Sequence, residues 1–322
     1  MATENGTPDT LLGAITYFAD VNVATLFVAG LRWPDGIRCP HCDGRECPYV
    51  ASRRIWQCKG CRKQFSVKVG SIFEDSPIPL SKWLPAMWML VNCKNGVSSY
   101  EIARDLGVTQ KTAWFMLHRL RLAIQSKSFD KFGGTVEVDE TYIGGKARNM
   151  HPSKKRRVLN PRHPFAGKVA IMGLLERHDK GSRVQFVNLG ATKPRLKKAS
   201  MQGLVRARVE DGANVYTDSL KSYVGLNQSY VHNVIDHAET YVDGAVHTNG
   251  LENFWSLLKR GLKGTYVSVE PFHLFRYLDE QVFRFNHRKW SDAMRFVWAC
   301  RSVFDKRLTY TALTGKELPQ TC

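Results

Sequence analysis

Four cysteines in two short pairs set the first limit on how this chain can fold. Cys39-Pro-His-Cys42 and Cys58-Lys-Gly-Cys61 are C-x2-C knuckles separated by fifteen residues. Two such knuckles meet around one tetrahedral Zn²⁺, because four thiolates need convergent geometry rather than a large core. Cys39, Cys42, Cys58 and Cys61 are therefore the expected zinc ligands, and residues 37–70 the unit that the metal folds. Cys47 and His41 lie in the same stretch without the paired spacing. With no export signal in the sequence, this clustering points to metal binding rather than a disulfide framework.

Charge narrows the class of partner. The 322 residues carry 47 Lys and Arg against 29 Asp and Glu, a net charge of +18. Such an excess favours a polyanion, either nucleic acid or an anionic membrane surface. No apolar run approaches the roughly 20 residues of a membrane span, and no signal peptide opens the chain. Nucleic acid in a cytoplasmic or nucleoid setting is the expectation, with no membrane. The cations flanking the cysteines (Arg38, Arg53, Arg54, Lys59, Arg62, Lys63), together with Trp56, are expected to contact DNA.

Residues 1–36 read as a helical segment, with Phe18, Val21, Leu26, Phe27 and Leu31 apolar and "RWPDG" as its stop. Residues 78–128 read as a helical DNA-binding region. Within it, "VSSYEIARDLGVTQKTAWFMLHRLRLAI" has the layout of a helix-turn-helix. Ser98 or Ser99 can cap the first helix, Gly107 permits the turn and Thr109 can cap the second. Gln110, Lys111 and Thr112 then open a recognition helix, with Arg119 further along it, as candidate DNA contacts.

From Gly133 the pattern changes. "TVEVDETYIGG", "KVAIMGLLER", "RVQFVNLG" and "NVYTDS" are short β-rich runs bounded by turn residues, and helical patterns follow. Residues 133–306 are expected to form one mixed α/β domain, with 307–322 as a tail. Residues 144–168 hold eight Lys or Arg, no acid and three prolines. This stretch reads as a mobile basic loop between two strands, with Lys154, Lys155, Arg156 and Arg157 as candidate phosphate contacts.

Three carboxylates stand at strand or helix edges of that domain: Asp139, Asp218 and Glu252. Hard divalent cations want carboxylate oxygens, and two of them about 3.5–4 Å apart can promote phosphodiester chemistry. Glu140 follows Asp139, but strand alternation assigns the two to opposite faces, so only one is expected in a given site. Glu252 lies in "HTNGLENFWSLLKRGLKGTY", an amphipathic helix. Asn249, Glu252, Asn253, Ser256, Lys259, Arg260 and Lys263 share its polar arc.

The segments "RWPDGIRCPHC", "IARDLGVTQKTAWFMLHRLR", "VDETYIGGK", "YTDSLKSY", "HTNGLENFWSLLKRGLKGTY" and "FRFNHRK" run in this order from about residue 30 to 290. Together they resemble a bacterial insertion-sequence DDE transposase with a zinc ribbon, of the insertion-sequence family numbered fifteen-ninety-five. The resemblance implies a ribonuclease-H-like domain, a mixed sheet flanked by helices, preceded by a zinc ribbon and a helix-turn-helix. It implies Asp139, Asp218 and Glu252 as catalytic ligands of Mg²⁺ (two ions, or Mn²⁺), with Asn249 as the alternative third residue. It also implies a cation seven residues after the glutamate, here Lys259, and Arg260 and Lys263 beyond it suit DNA contact. The activity implied is binding of terminal inverted repeats followed by metal-dependent strand cleavage and strand transfer into target DNA, by a homodimer or higher assembly. A catalytically inactive DNA-binding regulator and a ribonuclease-H-like nuclease are the alternatives.

Overall fold

A computed structural model describes residues 7–126, 130–144, 151–153, 155, 168–178, 181–190, 197–218, 221–235 and 247–315. The chain divides into two compact units, Met1–Gln125 with Trp290–Cys322, and Ser126–Lys289.

The first unit begins with two helices where one was expected. α1 (Leu11–Phe18) stops before Asp20, whose side chain accepts from Asn22 N at 2.7 Å and caps α2 (Val21–Arg32). Phe18 and Phe27 meet Phe296 of the helix Asp292–Arg301, which also touches Trp88. This aromatic packing places residues 290–306 with the N-terminal helices rather than with the α/β domain to which their position in the chain had assigned them. No single helix among the described residues is long and apolar enough to cross a membrane; α1 and α2 reach that length only together, bent by 105°.

The cysteine-rich segment forms a small antiparallel sheet of β1 (Tyr49–Val50), β2 (Ile55–Gln57) and β3 (Gln64–Phe65). Trp56 is 2% exposed, stacked on Phe65 and packed against Tyr49 and Trp33. It is the apolar core of the ribbon and not a DNA contact, because a unit this small has little else to bury.

α3 (Leu80–Asn92) buries Leu80 and every residue from Trp83 to Val91. α4 (Ser99–Leu106) opens with a full capping box between Ser98 and Glu101 and ends on Gly107 at φ 59°. Only a residue free of a Cβ takes that left-handed conformation at low cost. Thr109 then caps α5 (Gln110–Ala123), its hydroxyl accepting from Thr112 N. The helix-turn-helix layout is present as its capping residues indicate.

The second unit is built on a five-stranded sheet in the order β6-β5-β4-β7-β8. β4 (Thr135–Ile143), β5 (Val169–Arg177) and β6 (Arg183–Gly190) form an antiparallel meander. β7 (Asn214–Asp218) and β8 (Val231–Ile235) add to it in parallel. This order and these directions are those of a ribonuclease-H-like sheet, and β4 and β5 are joined through the basic segment 144–168.

Side-chain alternation splits the core into two layers. Val136, Val138, Ala170, Met172 and Leu174 face α6 (Lys198–Arg206), with Met201 and Val205. Ile171 and Leu175 face α7 (Asn249–Gly264) and α8 (Leu274–Asn286), with Leu251, Phe254, Trp255, Leu258 and Leu278. The amphipathic helix of the sequence is therefore a core helix on one face, and its polar arc stands at the edge of the sheet.

Candidate active site

Parallel pairing of β4 with β7 runs from Thr135↔Asn214 to Val138↔Thr217 and then stops. The next residues, Asp139 midway along β4 and Asp218 at the end of β7, stand just beyond the last pair of that ladder. On β4's other side Asp139 pairs with Gly173, and a Cβ there would lie 2.5 Å from Trp255 Cζ2 and 2.9 Å from Leu251 Cδ2. The glycine lets α7 settle close to the sheet. Trp255 then donates its indole N–H to Asp139 Oδ2 at 3.0 Å, while Oδ1 accepts the Glu140 N–H at 2.8 Å.

Asp139, Glu140 and Asp218 each offer a carboxylate oxygen within 4.8 Å of the others. Only one of Asp139 and Glu140 is expected in a given site from strand alternation, yet both belong to this cluster. Alternation does start them on opposite faces, but the ladder to β7 ends at Val138, and the longer glutamate side chain reaches around the open edge to the same point. Glu140 Oε1 is buried and has no hydrogen-bond partner among the described residues. Burial, with repulsion from Asp218 and Asp139, pushes its carboxyl up to about 9. Burial followed by Asp218 raises Asp139 to about 6, with a smaller contribution from Glu252. Three converging carboxyls, of which Asp139 and Glu140 resist ionisation, are a donor set suited to a divalent cation, whose charge reverses that penalty.

Glu252 stands beside this cluster rather than within it. It lines, with Asp139 and Glu140, a cavity of about 540 Å³ whose lining also includes Lys259, Arg260 and Lys263. Asn249, the alternative third residue, opens α7 one turn earlier; its Oδ1 is buried, and it does not line the cavity.

In the first unit, Cys39, Cys42, Cys58 and Cys61 bring their sulfurs within 4.8 Å of one another. The Cys39–Cys61 and Cys42–Cys58 separations are 3.6 and 3.5 Å. The edge of a zinc–thiolate tetrahedron with bonds of about 2.3 Å is about 3.8 Å, so the cluster fits zinc. The Cys61 backbone N–H helps hold the Cys58 thiol down to about 6. Cys47 donates to Gly44 O and stays outside the set.

A profile described as the ISXO2-like transposase domain matches residues 131–286, and one for a transposase zinc-ribbon domain matches residues 22–64. The chain belongs to this transposase family. It is 27% identical over 257 residues to a protein of the transposable element ISH50 from Halobacterium salinarum, covering 77% of this chain and 84% of that one. It is 32% identical over 95 residues to a transposase-like protein of Haemophilus influenzae, covering 29% of this chain and 76% of that one.

The expected DNA contacts of this transposase fare unequally. On α5, Lys111 is exposed, with its ammonium 5.0 Å from the Tyr310 ring. Gln110 donates to Ser99 Oγ and the Thr112 hydroxyl is engaged with Thr109. Arg119 is 5% exposed and donates to the carbonyls of Ile72, Glu74 and Leu308. Its guanidinium ties segments of the fold together, which corrects its assignment as a DNA contact. Arg260 and Lys263 are exposed, as is Lys155. Lys154, Arg156 and Arg157 lie outside the described residues.

Two residues at the centre escaped the sequence reading. Gly173 carries a signal only once its partner strand is known. Glu137, two residues before Asp139, is 1% exposed and faces α7.

Proposed function

We propose that this transposase binds the terminal inverted repeats of an insertion sequence and performs metal-dependent strand cleavage and strand transfer at the Asp139–Asp218–Glu252 centre. One observation carries the proposal: Asp218 of β7 meets the Asp139 and Glu140 carboxylates of β4, and these two line, with Glu252, a cavity to which α7 adds three cations. The acidic part suits Mg²⁺ or Mn²⁺, and the basic part suits the phosphates of DNA.

Bound divalent cations supply Lewis acidity at the scissile phosphate. The chain's own residues supply the rest. Trp255 and the Glu140 N–H fix the orientation of the Asp139 carboxylate. Glu140 of β4 and Asp218 at the end of β7 complete the donor set, and Glu252 adds a carboxylate from α7. Lys259, two turns beyond Glu252, holds a non-bridging phosphate oxygen against the centre, and Arg260 and Lys263 carry the backbone beyond it. Cleavage by water releases a 3′-hydroxyl, which attacks target DNA in the same site. The ribbon and the helix-turn-helix recognise the repeats, and joining two ends requires at least a homodimer on DNA. The bacterial cytoplasm, where the DNA lies, is the setting.

The test is purified protein with labelled terminal-repeat DNA. Nicking at the end is expected with Mg²⁺, absent with chelator, and lost in Asp139→Asn. Retention of Mg²⁺-dependent nicking by Asp139→Asn contradicts the assignment. Repeat binding without nicking by the wild type identifies a regulator instead.

A further inference from the structure

Glu137 is a buried carboxylate at the wall of a second cavity, of about 500 Å³, and an ionised group there is costly unless it is paired. Its partners come from both sides of one joint. Arg177, at the end of β5, donates from Nε to Oε1 at 2.7 Å, and Glu137 Oε2 accepts the Leu251 backbone N–H at 2.9 Å. Arg177 also reaches the Nδ1 and the carbonyl of His247, just before α7, and its guanidinium lies 5.0 Å from the Tyr216 ring centre.

The first N–H groups of a helix have no partner within it, and Thr248 at the N-cap makes no side-chain capping bond here. Glu137 meets one of those N–H groups from the sheet, with a negative charge at the positive end of the helix. The fit leaves no slack: a Cβ on Gly250 would lie 2.8 and 2.9 Å from the two Glu137 oxygens and 3.0 Å from Leu175 Cδ1.

The bonded N–H belongs to the residue immediately before Glu252, and Glu137 lies two residues before Asp139 on the same face of β4. We infer that Glu137, clasped by Arg177 and His247, is a positioning residue that sets the distance between the carboxylates of Asp139 and Glu252. This rests on the reading of Glu252 as part of the metal centre. None of Glu137, Arg177 and His247 belongs to the metal cluster or lines the cavity beside it.

Two measurements on the full chain test it. In Glu137→Gln, the side chain keeps its shape and loses its charge. Hydrogen exchange at residues 249–253 is expected to quicken about tenfold or more, while Val136 and Val138 keep their protection. Mn²⁺ titration then gives a double-mutant cycle. Glu252→Gln is expected to weaken Mn²⁺ binding about tenfold in the wild type and by less than about twofold in the Glu137→Gln background, because the helix is already displaced. Gly250→Ala, which retains the charge but crowds the carboxylate, is expected to behave as Glu137→Gln does and carries the test if the latter does not fold. Unchanged protection of Leu251, or independent and additive losses of Mn²⁺ affinity, overturns the inference. A wild type that binds no Mn²⁺ refutes the metal-centre reading, whereas the exchange measurement still decides whether the clasp holds α7.

Discussion

Gly173 lies directly across the strand pair from Asp139, and the space left by its missing side chain is filled by Trp255. The same indole donates to the Asp139 carboxylate. A glycine on one strand thus determines how an acid on its neighbour is held. Gly173→Ala is expected to destabilise the fold by about 1–3 kcal/mol through overpacking. It is also expected to weaken metal binding by moving Trp255 off Asp139. Thermal melts and Mn²⁺ titration check both, and an alanine variant with wild-type values for each contradicts this account of the packing.

The raised carboxyls give the metal-free protein a definite pH dependence. Asp139 and Glu140 keep their protons to higher pH in the folded chain than in the unfolded one. Their contribution to stability is fully present below about pH 4 and is lost as pH rises, through about 6 for Asp139 and about 9 for Glu140. A bound cation stabilises the ionised forms and so acts in the opposite sense. The rise in melting temperature on adding Mg²⁺ is expected to grow from pH 5 to pH 8. An increment equal at the two values, from thermal-shift measurements in matched buffers, argues against these groups as ligands.

Zinc removal is expected to unfold the ribbon. Its three strands are two or three residues long, and its buried core centres on Trp56 and Phe65. Chelation or Cys42→Ser is expected to abolish hydrogen-exchange protection across residues 49–65, and added Zn²⁺ is expected to restore it only to the chelated wild type. Protection that survives a demonstrated loss of zinc counts against a metal-folded unit.

Arginines buried in the fold and cations on its surface are expected to separate cleanly. Arg119→Met leaves three carbonyls short of a donor and is expected to cost about 1–3 kcal/mol of stability, with DNA affinity of the folded protein unchanged. Lys263→Ala is expected to leave stability alone and to lower the salt slope of DNA binding by about 0.9, the share of one neutralised phosphate. Affinity measured across a salt series decides; a stable Arg119→Met with a reduced slope reverses the assignment.

Local chemistry was readable in the sequence, and tertiary burial was not. Ser98, Gly107 and Thr109 announce their helix ends because capping depends on a few neighbouring residues. The paired cysteines announce a tetrahedral site for the same reason. The meeting of Asp139 with Asp218, 79 residues further along the chain, is legible in the sequence only through family resemblance. Glu140 was misplaced because alternation predicts a face but not where the ladder to β7 ends. Trp56 and Arg119 resemble surface residues in the sequence because a flank of cations looks alike whether it covers a core or DNA. Glu137 carried no signal, since a strand glutamate reveals its role only beside the helix it meets.

The proposed metal centre depends on Asp218 as a ligand, and metal-specificity rescue tests that most directly. Asp218→Cys replaces an oxygen donor with sulfur, which Mg²⁺ accepts poorly and softer Mn²⁺ tolerates better. Terminal-repeat cleavage by this variant is expected to be lost in Mg²⁺ and partly recovered in Mn²⁺. Cleavage in Mg²⁺ at the wild-type rate would contradict the central claim.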